Sequence, residues 1–155
     1  MLGRAFANHY RKMKLKEIMT RRPEVVRPDE PVQEAARKMR DLNVGVMPVC
    51  DGVRLHGMIS DRDIAIRAAA EALDCATVET ADVMTPGVVW CYEDQDVEVG
   101  AELMKEKQIR RLVILDRDKM LVGIVSLGDL AVESGDLEIS AETLERVSEP
   151  VGPHR

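Results

Sequence analysis

The chain repeats itself, and that repeat limits the folds open to it. Gly57-Met58-Ile59-Ser60-Asp61-Arg62-Asp63-Ile64 returns as Gly123-Ile124-Val125-Ser126-Leu127-Gly128-Asp129-Leu130. Each copy reads as a glycine, a short apolar run, Ser-x-x-Asp and an apolar residue. The run has the pattern of a buried strand, and Ser is a preferred helix N-cap. Ser at the N-cap with Asp at N3 gathers a hydroxyl, a carboxylate and free backbone N–H groups at one helix start. Two readings of this cluster are open. It is a capping box, needed only to begin a helix. Or it grips a sugar diol, the carboxylate accepting from both ribose hydroxyls with the Ser hydroxyl nearby. Duplication at matched positions adds weight to the second reading, although a repeat copies caps as well.

The repeat extends beyond the motif. Leu15-Lys16-Glu17-Ile18-Met19-Thr20 restarts as Thr80-Ala81-Asp82-Val83-Met84-Thr85. Val25-Val26 and Val88-Val89-Trp90 then read as short strands. Apolar stripes at helical spacing follow, on Val32, Ala35, Ala36, Met39 and Leu42 and on Val97, Gly100, Ala101 and Met104. Pro31 suits the first turn of the former, and Asn43 and Gly45 suit its end. Buried strands come next at Val46-Met47-Pro48-Val49-Cys50 and Leu112-Val113-Ile114-Leu115, with turns at Asp51-Gly52 and Asp116-Arg117-Asp118-Lys119. The two methionines before Thr20 and Thr85 are 65 positions apart and the two motif serines 66, so the second turn is one residue longer. Helices close each unit, on Ile64, Ala65, Ala68, Ala69 and Ala72 and from Leu130 onward.

The spacing predicts an α+β fold: two β-α-β-β-α units, at 15–75 and 80–135, packed sheet to sheet with clefts at their boundary. One unit is too small to cover its own sheet. Residues 1–14 are basic, with Arg4, Arg11, Lys12 and Lys14, and form a segment that packs on the body or on a second subunit. The stretch 136–155 reads as a short amphipathic helix carrying Leu137, Ile139, Leu144 and Val147, followed by a loose tail.

Composition removes several functions. The net charge of −6 opposes duplex binding, and one Trp, one Phe and two Tyr make no stacking platform for single strands. A bound base would therefore sit between aliphatic side chains. The chain has three cysteines, an odd number, and Cys50, Cys75 and Cys91 form no metal spacing, which fits a reducing cytoplasm. Cys50 and Cys91 lie in apolar runs, as small buried hydrophobes do. No segment has transmembrane length or a signal-peptide core, so no membrane role is expected. No nucleophile–base set, Walker loop or Gly-x-Gly-x-x-Gly occurs, so no enzyme is expected and no catalytic residue is assigned. Asp61 and Asp63 alone hold a divalent cation poorly, so no metal site is assigned. His56 reads as packed or hydrogen-bonded structure.

At this point the chain resembles the tandem CBS-domain family, named after cystathionine beta-synthase. The resemblance covers about residues 15–132. It rests on Ile18-Met19-Thr20 and Val83-Met84-Thr85, the Val32-Gln33-Glu34-Ala35 helix start, the Pro48-Val49 and Val113-Ile114 strands, and both Gly-h-h-Ser-x-x-Asp copies, h being apolar. The second helix start, Val97-Glu98-Val99-Gly100, keeps the pattern in part. The resemblance implies a module of two repeats, often a homodimer, that binds adenosine-containing ligands: AMP, ADP, ATP, NAD or S-adenosylmethionine. No cofactor is required, and the signal passes to an unknown protein partner or to the oligomer. Ribose-binding Asp falls on Asp63 and Asp129, and Ser on Ser60 and Ser126. Ile109-Arg110-Arg111-Leu112-Val113 is similar to the phosphate-contacting strand of the gamma subunit of AMP-activated protein kinase, with Arg110-Arg111 where that subunit has His-Arg.

The first repeat departs here, since Val44-Gly45-Val46-Met47 offers no cation. One cleft then prefers a nucleotide, and the other takes a neutral or cationic adenosine compound or stays empty. Arg110 and Arg111 are either phosphate contacts or a solvated strand end, and successive strand side chains point to opposite faces. Arg62 reaches a phosphate or pairs with Asp61. Thr20 and Thr85 face the adenine side or make a strand-end hydrogen bond. A structural homodimerisation scaffold with non-functional clefts is the alternative to the sensor.

Overall fold

The structure, a computed structural model, describes residues 13–133 and Leu144. The basic segment expected at 1–14 falls outside the described residues except for Met13 and Lys14, and so does the C-terminal helix and tail except for Leu144. In chain order the elements are α1 (Leu15–Ile18), β1 (Thr20–Arg21), α2 (Val32–Leu42), β2 (Val46–Cys50) and β3 (Leu55–Ser60). Next come α3 (Asp61–Asp63), running into a π-helical segment (Ile64–Ala69), then α4 (Thr80–Val83), β4 (Thr85–Pro86) and β5 (Trp90–Tyr92). The chain continues with α5 (Val97–Lys107), β6 (Arg111–Leu115), β7 (Leu121–Ser126) and α6 (Leu127–Glu133). The fold is α+β, with one sheet in the order β1-β7-β6-β5 and another in the order β2-β3-β4. Val26 adds a single parallel bridge to Val49 on the free side of β2.

Of the described residues, one compact unit holds 13–21, 91–114 and 123–133, and the other holds 22–90 and 115–122. These groupings cut across the sequence repeats. β1 lies antiparallel to β7, with Thr20 opposite Ile124 and Arg21 opposite Gly123. β4 lies antiparallel to β3, with Thr85 opposite Met58 and Pro86 opposite Gly57. Each motif strand thus takes as its edge neighbour the short strand that opens the other repeat.

The motif glycine makes that pairing possible. A Cβ on Gly57 would stand 2.5 Å from the Thr85 carbonyl oxygen and 2.9 Å from the Met84 sulfur. A Cβ on Gly123 would strike the Met19 sulfur and lie 3.0 Å from the Thr20 carbonyl oxygen. The core of the second unit follows the same exchange. Val26, Val32, Ala35, Met39, Met47, Val49, Ile59 and Ala68 pack with Val83, which comes from the start of the second repeat.

Local signals match in most places. On α5 all four stripe residues, Val97, Gly100, Ala101 and Met104, are buried. Gly100 is small because Leu15 crosses it: a Cβ there would come within 2.9 Å of the Leu15 Cδ2. On α2, Val32, Ala35 and Met39 are buried, while Ala36 and Leu42 are exposed. Asn43 ends α2 in the left-handed conformation, Gln108 does the same for α5, and Pro31 sits at the N-cap of α2, not in its first turn. Asp51 Oδ1 accepts the N–H groups of Val53 and Arg54. In the longer turn, Asp116 Oδ1 accepts those of Asp118 and Met120.

Three expectations need correction. Val25-Val26 is a one-residue bridge, not a strand. The second short strand begins at Trp90, after Gly87 turns the chain at φ 73°. The helix after Asp63 does not keep a regular stripe. Ala70 N–H donates to the Ala65 carbonyl and Leu73 N–H to the Ala68 carbonyl, five residues back, and Ala72 leaves the helix at φ 54°. The wider π turn changes which residues share a face. Ala68 is buried and Ile64 packs on the core, whereas Ala65, Ala69 and Ala72 are exposed.

Candidate functional site

Both Ser-x-x-Asp motifs form complete capping boxes. Ser60 Oγ accepts the Asp63 N–H at 3.0 Å, and Asp63 Oδ2 accepts the Ser60 N–H at 2.9 Å. Ser126 Oγ accepts the Asp129 N–H at 3.1 Å, and Asp129 Oδ2 accepts the Ser126 N–H at 2.7 Å. Such a cap supports its helix by about 1 kcal/mol. It does not exhaust the carboxylate, which has about four lone-pair positions on two oxygens. Capping and diol binding are therefore compatible in one residue.

In the second unit the remaining acceptor capacity is engaged from within. Thr85 Oγ1 donates to Asp63 Oδ2 at 3.5 Å. Arg67 Nη1 donates to the Val83 carbonyl at 3.0 Å and to Thr85 Oγ1 at 3.0 Å, and lies 3.5 Å from Asp63 Oδ1. The Asp63 side chain is left 14% exposed. Sequence reasoning passed over Arg67, although an acid followed four residues later by a base is a readable helical pair. Asp61 also differs from expectation. Its Oδ1 accepts the backbone N–H of Arg62 at 2.7 Å, and no ion pair joins Asp61 to the Arg62 side chain among the described residues. Its Oδ2 lies 3.1 Å from where a Cβ on Gly45 would stand, and its N–H donates to the Gly45 carbonyl at 2.9 Å.

The first unit carries Ser126, Asp129, Thr20, Arg110 and Arg111. The pairing of Thr20 with Ile124 sets Thr20 beside the strand that ends at Ser126. The Leu127 N–H donates to the Arg110 carbonyl at 2.9 Å, the counterpart of the Asp61–Gly45 bond. Arg110 is therefore held by its backbone at the start of α6, next to the Asp129 box. Arg110 and Arg111 are both exposed.

His56, Cys50 and Cys91 make their contacts within the fold. His56 Nε2 meets Asp51 Oδ2 at 2.8 Å. That bond, with the N–H groups of Arg54 and Val53, holds the Asp51 carboxyl well below the usual carboxylate range. Cys50 and Cys91 are buried, and burial pushes the Cys91 thiol up to about 11. Among the described residues no three His, Cys, Asp or Glu side chains gather to hold a metal ion, and no helix is long and apolar enough to cross a membrane. A cavity of about 470 Å³ in the second unit is lined in part by Arg54, His56, Trp90 and Lys119, and by none of the eight residues chosen as ligand contacts.

Comparison with known proteins adds an independent line. The family model for the CBS domain matches residues 15–69 and 81–135. The CBS domain-containing protein YhcV of Bacillus subtilis is 40% identical over 134 residues, covering 86% of this chain and 94% of that protein. Among solved structures, Hypoxic Response Protein I with two coordinated zinc ions superposes with a TM-score of 0.71 at 32% identity, covering 77% of this chain and 97% of that one. CBSX2 in complex with AMP superposes with a TM-score of 0.68 at 26% identity, covering 78% of this chain and 95% of that one.

Proposed function

The chain belongs to the CBS-domain family, and on that premise we propose that it is a non-enzymatic regulatory module that binds an adenosine-containing ligand. The candidates are AMP, ADP, ATP, NAD and S-adenosylmethionine. In this reading the Asp129 carboxylate accepts from the ribose hydroxyls while Ser126 keeps it aimed, and Thr20 meets the base. Arg110 and Arg111 supply the cation for a phosphate, Arg110 being the nearer to the helix start. Ser60 and Asp63 of the first repeat, with Thr85 of the second, are the corresponding residues of the second unit. Ligand binding changes the chain's conformation, its homodimer or its grip on a protein partner, and it does so only to the extent that it binds one state better than another.

The observation that carries this reading is the Ser126–Asp129 box, complete on its own and adjoined by the Arg110 backbone. The complex of CBSX2 with AMP supports the choice of ligand class. Thermal unfolding with each candidate ligand tests it. A ligand at 100 times its dissociation constant stabilises by about 2.7 kcal/mol. A raised melting temperature with at least one ligand is the expected result. An unchanged one with all five would leave a homodimerisation scaffold with non-functional clefts.

A further inference from the structure

The duplicated motif invites the expectation of two equivalent sites, and the surroundings of Asp63 oppose it. Arg67 reaches over the Asp63 box with one nitrogen. It donates to the Val83 carbonyl and to Thr85 Oγ1, each at 3.0 Å, and sits 3.5 Å from Asp63 Oδ1. Thr85 Oγ1 in turn donates to Asp63 Oδ2. A guanidinium paired with the carboxylate and a hydroxyl donating to it thus stand where ribose hydroxyls would otherwise bind. A diol would have to displace both.

A second observation points the same way. Where the second repeat has Arg110 beside Leu127, the first has Gly45 beside Asp61, and the Asp61 carboxylate approaches the place of the missing side chain to 3.1 Å. A phosphate there would meet a negative charge in place of a positive one. In the sequence, the position 66 after Arg67 is Glu133, an acid and not a base.

We infer that Arg67 is a built-in occupant of the Asp63 site, and that it sets the number of adenosine ligands at one per chain, taken at Asp129. This rests on the proposed ligand class. Removing Arg67 opens a second site, and because Asp61 remains, that site accepts adenosine more readily than AMP.

Calorimetric titration of the full chain with adenosine and with AMP tests the inference. Two variants, Arg67→Ala and the stem-preserving Arg67→Met, guard against loss of packing, and a thermal melt checks that each is folded. The expected result is that adenosine stoichiometry rises from one to two per chain in either folded variant and returns to one when Asp63→Asn is added. The new site should bind AMP at least tenfold more weakly than adenosine. Unchanged stoichiometry in folded Arg67 variants, or two adenosines on the wild-type chain, would overturn the inference. A rise from none to one would uphold the role of Arg67 and refute the assignment of the ligand to Asp129, so the two failures are distinguishable.

Discussion

Asp63 and Asp129 make the same two bonds to their capping serines, yet their neighbourhoods diverge at once. Asp63 is left 14% exposed, with Arg67 and Thr85 against it and Asp61 two positions before it. Asp129 has Arg110 held by its backbone at the same helix start. The contrast shows which part of a duplicated motif is scaffold. A capping box depends only on residues three apart in sequence, so it survives duplication intact. What a carboxylate can then bind depends on side chains from other elements, and those vary independently in each copy.

The largest effect that could break this comparison lies in the two motif glycines. Gly57→Ala sets a methyl against the Thr85 backbone carbonyl, which cannot swing aside, and is expected to destabilise by about 3 kcal/mol. Gly123→Ala meets chiefly the Met19 thioether, which can rotate, and about 1 kcal/mol is expected. Chemical denaturation of both variants measures the difference. Equal losses would mean that the two crossing strands are held alike.

Ligand affinity comes next. Asp129→Ala is expected to weaken binding of the best adenosine ligand by about 1.5–3 kcal/mol, through loss of charge-assisted hydrogen bonds. Asp63→Ala should leave that affinity within about twofold, a few tenths of a kcal/mol. Titration of both variants decides whether the two acids differ in function. Were both to lose affinity equally, the contrast drawn here would be wrong.

The caps themselves should behave alike. Ser60→Ala and Ser126→Ala are each expected to lower stability by about 1 kcal/mol, because each removes one acceptor from a helix-start N–H. Denaturation midpoints shifted by similar amounts would confirm that the shared part of the motif is structural.

The smallest effect concerns the two hairpin turns. Asp51 and Asp116 organise them in the same way, but His56 bonds Asp51, and Val122 stands at the place matching His56. The folded Asp51 carboxyl titrates below its unfolded value of about 3.9, so its contribution is complete above that pH and fades as the pH drops further. Asp51→Asn should lower stability at neutral pH and flatten the acid side of the stability profile between about pH 4 and 2, because the variant lacks the charged form that the fold favours. A wild-type profile no steeper than that of the variant in this range would remove Asp51 from the account.

Much of this molecule is legible without coordinates. The stripe on α5 is buried residue for residue, and Asn43 stops α2. Both Ser-x-x-Asp boxes close, and the second turn is longer by one residue. All of these depend on neighbours within a few positions. The segment after Asp63 departs from the expected stripe because a π turn has a wider period than the α-helical spacing. Arg67 was passed over because two of its acceptors, Val83 and Thr85, lie 16 and 18 positions away.

By itself the sequence determined that there are two repeats, where α2 stops and which face of α5 is apolar, because periodicity and capping are local properties of the chain. Only the tertiary structure decided that β1 joins β7 while β4 joins β3, and that Arg67 and Thr85 meet at the Asp63 capping box. Strand pairing and side-chain approach join residues far apart in the chain, and no short-range pattern records which partner wins.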